Sequence, residues 1–239
     1  ARSLEEWLAP AQEIKDDVVR LSIIYSHPEW IVSAYFDLLK DFSEVEALLQ
    51  ANNVPTKPTF VVWPGRSSLD EFTEISIVPT KYSPFGFTAD ATPGSLEAVR
   101  HRRAGVQDEG SQLVAWLFAQ ASAKSHTWLD LCAGPGGKAA LLATLASQSD
   151  HPFTANELSQ VRADLVSQVV GDSPVWVGDA REIASRNVSF DAILADVPCT
   201  GVGALRRRPE VRWRRTIKDL APLLQLQLEL TDAALSVLN

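Results

Sequence analysis

The sequence has no methionine, and only two cysteines among its 239 residues. Two thiols, Cys132 and Cys199, cannot form a disulfide framework, and no Cys-x-x-Cys pair is present to hold zinc. No metal is therefore expected. A reducing, cytoplasmic setting is expected, with each thiol either buried or used in chemistry. A chain of this length that starts on Ala1 and lacks methionine is expected to be an excised or otherwise incomplete piece. No apolar run reaches the roughly 18 residues needed to cross a bilayer, and no signal peptide opens the chain. A membrane partner is not expected. Internal repeats and low-complexity tracts are also missing.

What is present is a core-forming composition, with 46% apolar residues, and a net charge of −8. Taken alone that charge argues against a nucleic-acid partner, but it is unevenly spread. Residues 1–60 carry ten acids against five bases, and residues 139–199 carry eight against three. Residues 200–239 reverse the balance with seven bases against four acids, and six of those bases lie between Arg206 and Arg215. Phosphate contact is local, so a basic stripe on an acidic protein remains compatible with RNA or DNA.

Three textures follow one another. Residues 1–50 are predicted to be two helices, "SLEEWLAPAQEIKDDVVRLSIIYS" and "PEWIVSAYFDLLKDFSEVEALLQ", broken at His27-Pro28. Residues 51–103 are predicted to be a small α+β subdomain. It opens on the turn-rich "ANNVPTKP", continues with a strand at "TFVVWPG" and a short helix at "SLDEF", and over residues 75–96 is irregular or short-strand structure broken by prolines and glycines. From 104 to 239, and clearly from Gln107 onward, short apolar strands alternate with helices, as in a parallel, doubly wound α/β sheet. Strands are predicted at about 127–132, 152–156, 174–178 and 190–195. In such sheets ligands bind beyond the carboxyl ends of the strands.

Four strand ends carry candidate chemistry. "DLCAGPGGKAALL" offers glycines for a tight turn and a following helix with free amides. It is neither a Walker A loop nor a full G-x-G-x-x-G, since Ala139 stands where a hydroxyl or a third glycine would be needed. A variant dinucleotide loop, or a plain strand–helix turn, stays open. Glu157 ends "FTANE" about 20 residues further on, where a carboxylate suits a ribose diol; a helix-start acid is equally economical. Asp179 in "VGDAR" suits an adenine amino group or an N-cap. Asp196 and Cys199 follow "FDAIL", and the basic run behind Cys199 favours thiolate. Cys132 is expected to pack rather than react.

"DLCAGPGGK", "GDAR" and "DVPCTGVGALRRRPEVRW", together with "AGVQDEGSQL" at 104–113, closely resemble the RNA cytosine-carbon-5 methyltransferases of the Sun/Fmu/RsmB type. "YSHPEW" and "ANN", at 25–30 and 51–53, match the segment preceding that catalytic domain in the bacterial 16S ribosomal RNA enzymes. The resemblance implies a Rossmann-like methyltransferase domain that uses S-adenosylmethionine, with RNA, ribosomal RNA first, as partner, in a monomer. It implies that Cys132, Ala133, Gly134, Pro135, Gly136, Gly137 and Lys138 wrap the donor's amino-acid end. Glu157 would hold the ribose and Asp179 the adenine, with Asp196 near the methyl group and the base. Arg206, Arg207 and Arg208 would contact phosphate, unless they form only a solvated charged loop. The family's usual loop has alanine where Gly134 stands, a change expected to be tolerated, and often aspartate where Glu157 stands. "FVVWPG" lacks the arginine and asparagine often seen there.

Carbon 5 of cytosine becomes nucleophilic once a thiolate adds to carbon 6. In the family resembled, a Thr-Cys cysteine on the next strand attacks, and the Pro-Cys cysteine, here Cys199, helps release the product. No Thr-Cys occurs in these residues. The chain stops at Asn239 with four of the usual seven strands, so its last strands are expected to be missing. Three alternatives stand beside this reading: a non-catalytic RNA-binding relative, a tRNA cytosine methyltransferase, and a methyltransferase of exocyclic amines. A nicotinamide dehydrogenase is a weaker fourth.

Overall fold

The computed structural model describes residues 3–239, which form two compact units. One comprises the chain up to Thr56 together with Cys199–Leu224; the other comprises Lys57–Pro198 and Gln225–Asn239. The break after Thr56 falls near the change of texture at residue 50, and a segment from the later part of the chain, Cys199–Leu224, belongs with the first helices.

In the first unit, α1 (Leu4–Gln12), α2 (Asp17–Ile24), α3 (Glu29–Leu39) and α4 (Phe42–Asn52) replace the two longer helices predicted. Periodicity runs across the breaks, but the local chemistry makes them. Asp16 caps α2 by accepting from the Val19 amide at 3.1 Å. Lys40 ends α3 in the left-handed conformation at φ 60°, and Asp41 caps α4. Ser3 and Glu6 close a capping box on α1. Leu21, Val32, Val45 and Leu49 are fully buried at the centre, and Phe36 stacks on Phe42 with ring centroids 4.1 Å apart.

The segment 199–224 joins this unit through packing and through one cation. Leu205 and Val211 bury themselves against Ile31. Arg212, in the short helix α9 (Val211–Arg214), is only 4% exposed. Its Nη1 donates to the Ser26 carbonyl and to Asn53 Oδ1, both at 2.9 Å. Asn53 Nδ2 in turn donates to the Tyr25 carbonyl at 2.9 Å. His27 is buried beside the guanidinium, its Nδ1 lying 2.7 Å from the Tyr25 carbonyl. The "YSHPEW" and "ANN" segments thus form the cradle of one arginine.

The second unit holds two sheets. β1 (Thr59–Val62), β2 (Ile77–Pro79), β3 (Gly86–Ala89) and β4 (Ala104–Val106) form an antiparallel sheet in the order β2-β3-β1-β4. β4 was not expected as a strand. Its three residues pair with β1, Phe60 opposite Val106, so the antiparallel sheet extends past the predicted boundary at 103. At its core, beside α5 (Glu97–Arg100), Phe60 stacks on Phe87 and Phe72 meets Phe87 at a tilt.

The parallel sheet contains β5 (Trp128–Asp130), β6 (Phe153–Glu157), β7 (Val175–Val177) and β8 (Ala192–Leu194) in the order β7-β6-β5-β8. Each strand falls within its predicted range to a residue or so at either end. α6 (Glu109–Ala121), α7 (Gly137–Gln148), α8 (Gln160–Ser167) and α10 (Leu220–Ser236) complete the α/β fold. Successive residues of β5 point to opposite faces: Trp128 enters a core with Ala115 and Leu141, whereas Leu129 packs with Ile183, Leu230 and Ala234. Both faces are therefore covered, which explains apolar strands without alternation. Among the described residues no helix is long and apolar enough to cross a membrane.

Burial in the first unit gives a pH prediction. Burial, aided by the nearby Arg212 charge, lowers the His27 pKa to about 4. Between pH 4 and the ordinary value of about 6.5 the unfolded chain holds the extra proton, so stability rises with pH across that window. Chemical unfolding at pH 4.5 and 7.5 should show a difference of up to about 3 kcal/mol, at ~1.4 kcal/mol per pKa unit. His27→Gln should remove most of that difference; an unchanged slope would assign it elsewhere.

Candidate active site at the carboxyl edge of the parallel sheet

The strand order reverses at β5, with β6 on one side and β8 on the other. Loops leaving such adjacent strands in opposite directions open a crevice at their carboxyl ends. The loop after β5 passes through Leu131–Gly136 into α7. Gly136 has φ 112°, where a side chain is strained, and a Cβ there would lie 3.0 Å from Val169. The first amides of α7 have no partners within the helix.

Glu157, at the end of β6, holds this loop. It is buried, with Oε2 accepting from the Gly134 amide and Oε1 from the Ser159 amide, both at 3.0 Å. Arg162 closes the ring: it pairs with Glu157 at 3.6 Å and donates to the Gly134 carbonyl. A side chain on residue 134 would require that ring to shift. A Cβ on Gly134 would lie 2.2 Å from Glu157 Oε2 and 2.8 Å from Arg162 Nε. An alanine at 134 would need the Glu157 and Arg162 side-chain ends to move.

Asp130 and Cys132 form the floor. Asp130 is 1% exposed; Oδ1 accepts from the Cys132 amide at 3.4 Å, while Oδ2 has no partner. Burial, together with the Asp196 and Glu157 charges, pushes its pKa up to about 7. Cys132 packs against the apolar face that α10 covers. Burial and the carboxylates of Asp130, Glu157 and Asp196 push its thiol up to about 12, which makes it inert as a nucleophile.

Asp196, beyond β8, is exposed and meets Lys138 Nζ at 2.7 Å. Lys138 sits in the first turn of α7, where the helix dipole disfavours a cation, so the carboxylate offsets an unfavourable position. Asp179, beyond β7, does cap a short 3-10 helix, Ala180–Arg186, as one of its two readings expected. Arg181 grips it with Nη2 at 2.6 Å and reaches Glu229 at 2.8 Å, and this holds the Asp179 carboxyl below its ordinary range.

Other residues of the edge were not anticipated. Asn156 is buried and donates to the Leu131 and Gly178 carbonyls at 3.2 and 3.3 Å, tying the ends of β5 and β7 together. Arg162 and Arg181 set the two carboxylates. Gln107 is buried with neither amide atom partnered, and a Cβ on Gly137 would lie 3.9 Å from its Cδ. Asn156 lies in "FTANE", Arg181 in "GDAR" and Gln107 in "AGVQDEGSQL", yet sequence alone assigned none of the three a role.

The remaining candidates belong to the first unit. Cys199 opens the segment 199–224 and is exposed. Arg206, Arg207 and Arg208 are exposed as well. Arg206 Nε donates to the Val54 carbonyl at 3.0 Å, and Arg208 lies 3.5 Å from Glu210.

The crowding at residue 134 predicts a compensating pair. Gly134→Ala should lower stability by about 1–3 kcal/mol, the usual cost of overpacking. Adding Glu157→Asp, which shortens the clashing side chain by one methylene, should recover more than half of it. Thermal unfolding of both single variants and the double variant decides this. Additive effects would mean that the two residues do not compete for space.

The sequence profile described as 16S rRNA methyltransferase RsmB/F matches residues 117–239. "Putative methyltransferase MT1451" of Mycobacterium tuberculosis is 42% identical over 237 residues, covering 96% of this chain and 51% of its own length. "Probable ribosomal RNA small subunit methyltransferase B" of Bacillus subtilis is 29% identical over 244 residues, covering 96% and 54%. "Ribosomal RNA small subunit methyltransferase B" of Photorhabdus laumondii is 30% identical over 230 residues, covering 87% and 50%. The chain thus spans about half the length of the curated relatives it matches. Among solved structures, "Crystal Structure of PH0851" superimposes with a TM-score of 0.81 at 22% identity, over 94% of this chain and 53% of that one. A shared fold, and a family profile that matches on the strands and loops just described, lead to one conclusion: the chain belongs to the RsmB/F family of 16S rRNA methyltransferases.

Proposed function

We propose that this protein methylates carbon 5 of a cytosine in RNA, 16S ribosomal RNA first, using S-adenosylmethionine and a covalent cysteine–cytosine adduct. The observation that carries the reading is the convergence of the glycine loop, Glu157 and Asp196 on one edge of the parallel sheet, around the buried Asp130. The residues there fit such a donor. Gly134 and Gly136 leave the backbone bare, and α7 begins with unpaired amides. The Gln107 amide is buried without a partner beside Gly137.

The donor would supply an electrophilic methyl group. Residues Cys132–Lys138 would bind its amino-acid end through backbone groups. Glu157 would accept from the ribose hydroxyls, and Asp179 would accept from the adenine amino group. Both acids are already held by arginines and amides, so their orientation needs little further ordering. Asp196 would hydrogen-bond the edge of the cytosine as the ring gains a proton. Lys138, 2.7 Å away, holds that carboxylate in position until the base arrives. Cys199 would act after methyl transfer, when the carbon-5 proton leaves and the sulfur–carbon bond breaks. Arg206, Arg207 and Arg208 would hold the RNA by its phosphates.

Two measurements test this proposal. Calorimetry should detect S-adenosylmethionine binding to the chain, and Glu157→Gln should weaken it roughly 10- to 100-fold, as expected on losing hydrogen bonds to a charged group. In the complete protein, Cys199→Ala should transfer the methyl group and then stall. Its signature is protein linked to RNA, a denaturation-resistant and nuclease-sensitive band. Full turnover in Cys199→Ala would leave that thiol outside the chemistry.

A further inference from the structure

The first unit carries a groove of about 680 Å³ whose lining includes Leu4, Trp7, Ile23, Tyr25, Arg212 and Trp213. Its volume falls within the roughly 300–1,000 Å³ usual for sites that take a small organic group. Two features set it apart from an ordinary surface hollow. Trp7 and Trp213 are 72% and 62% exposed, although indole is among the costliest surfaces to leave in water. Arg212, by contrast, is almost fully buried, yet only its Nη1 is bonded; Nε and Nη2 have no partner. Among the described residues no carboxylate pairs with it. A buried guanidinium with an unfilled two-donor edge is expensive, since unpartnered buried donors cost about 1–3 kcal/mol each, and more when charged.

We propose that this groove binds an unpaired nucleotide of single-stranded RNA, its base lying against Trp213 and Trp7 and its acceptor atoms meeting the free edge of Arg212. The inference rests on the RNA-substrate reading above and gives the first unit a part in it. Planar bases stack on indole whatever their sequence. The Nε–Nη2 edge of a guanidinium is a flat fork that matches two acceptors on a base edge. Charge also favours a base in the groove over a phosphate. Glu210 is part of the lining, and an anion there would be repelled. The phosphates on either side of that base would meet the cations that flank the groove in sequence, Arg206–Arg208 before it and Arg214 and Arg215 after it. On this account "YSHPEW" and "ANN" hold Arg212 by one nitrogen, while its Nε and Nη2 are buried without partners.

The test is fluorescence anisotropy of a labelled single-stranded RNA 12-mer titrated with the 239-residue chain and with Trp7→Leu, Trp213→Leu and the double variant. Both indoles are exposed, so these variants should melt as the parent does. Each single variant should bind about 5- to 100-fold more weakly, the range expected from about 1–3 kcal/mol of base stacking. A 12-mer with abasic riboses should lose the same factor on the parent chain and show no further loss on the variants. Inorganic polyphosphate should bind the parent and the Trp variants equally. Parent-like RNA affinity in the Trp variants, while the parent binds RNA, would overturn the nucleotide site alone and leave the groove as a surface for an apolar protein segment. No RNA binding by the parent chain would overturn this proposal together with the RNA reading on which it rests.

Discussion

Negative charge crowded at the carboxyl edge of the parallel sheet is the constraint from which most of the local architecture follows. Asp130, Glu157 and Asp196 act on one another, and the first two are buried. Like charges in a poorly polarisable setting repel strongly, so each must be neutralised, bonded or protonated. All three remedies occur. Lys138 neutralises Asp196. Two amides and Arg162 satisfy Glu157. Asp130, whose Oδ2 is unpartnered, has its pKa raised to about 7 and so spends part of its time protonated near neutrality. The loop between β5 and α7 takes its course from these contacts, and Gly134 is bare because the Glu157 carboxylate occupies the space of its Cβ.

The parallel half of the fold was legible because its strands are short apolar runs buried on both faces, bounded by turn residues. "TWLDL", "FTANE", "VWVGDA" and "FDAILAD" needed no partner information to be read. The helices of residues 3–52 were legible in kind and not in number. Hydrophobic spacing carries on through Lys15 and Lys40, while the stops depend on the Asp16 and Asp41 caps and one left-handed backbone. β4 was hidden for the opposite reason. Three residues, Ala-Gly-Val, have too little pattern to declare a strand, and only pairing with β1 makes them one.

The candidate site divides in the same way. Carboxylates at strand ends can be found from sequence because the strands themselves can. What holds them cannot, because the bonds that Arg162, Asn156 and Arg181 make to those carboxylates and strand ends appear only in the fold. Asn156 shows this well. It precedes the predicted Glu157, looks like an ordinary strand residue, and ties the ends of two other strands through its amide. Gly134 shows the limit of reasoning from a motif one position at a time. Putting alanine at position 134 is mild in isolation but crowds a glutamate one methylene longer than aspartate.

Arg212 carries this lesson into the other unit. In sequence it is one of six arginines in ten residues, and nothing distinguishes it from the neighbours expected to meet phosphate. In the fold it is the buried one, held by Ser26 and Asn53 from segments more than 150 residues earlier, while Arg206–Arg208 stay exposed. The run therefore combines two kinds of cation. One is fixed by burial and directional bonds, and Arg206–Arg208 are exposed charges in high dielectric, where each contact is weak and readily screened by salt. Leu205 and Val211 bury themselves on either side of the exposed stretch, so the arginines between them are presented from two anchored ends. A tethered basic loop loses less conformational entropy when it meets a ligand than a free tail does, and that saving comes from the packing of α3 and the cradle of Arg212.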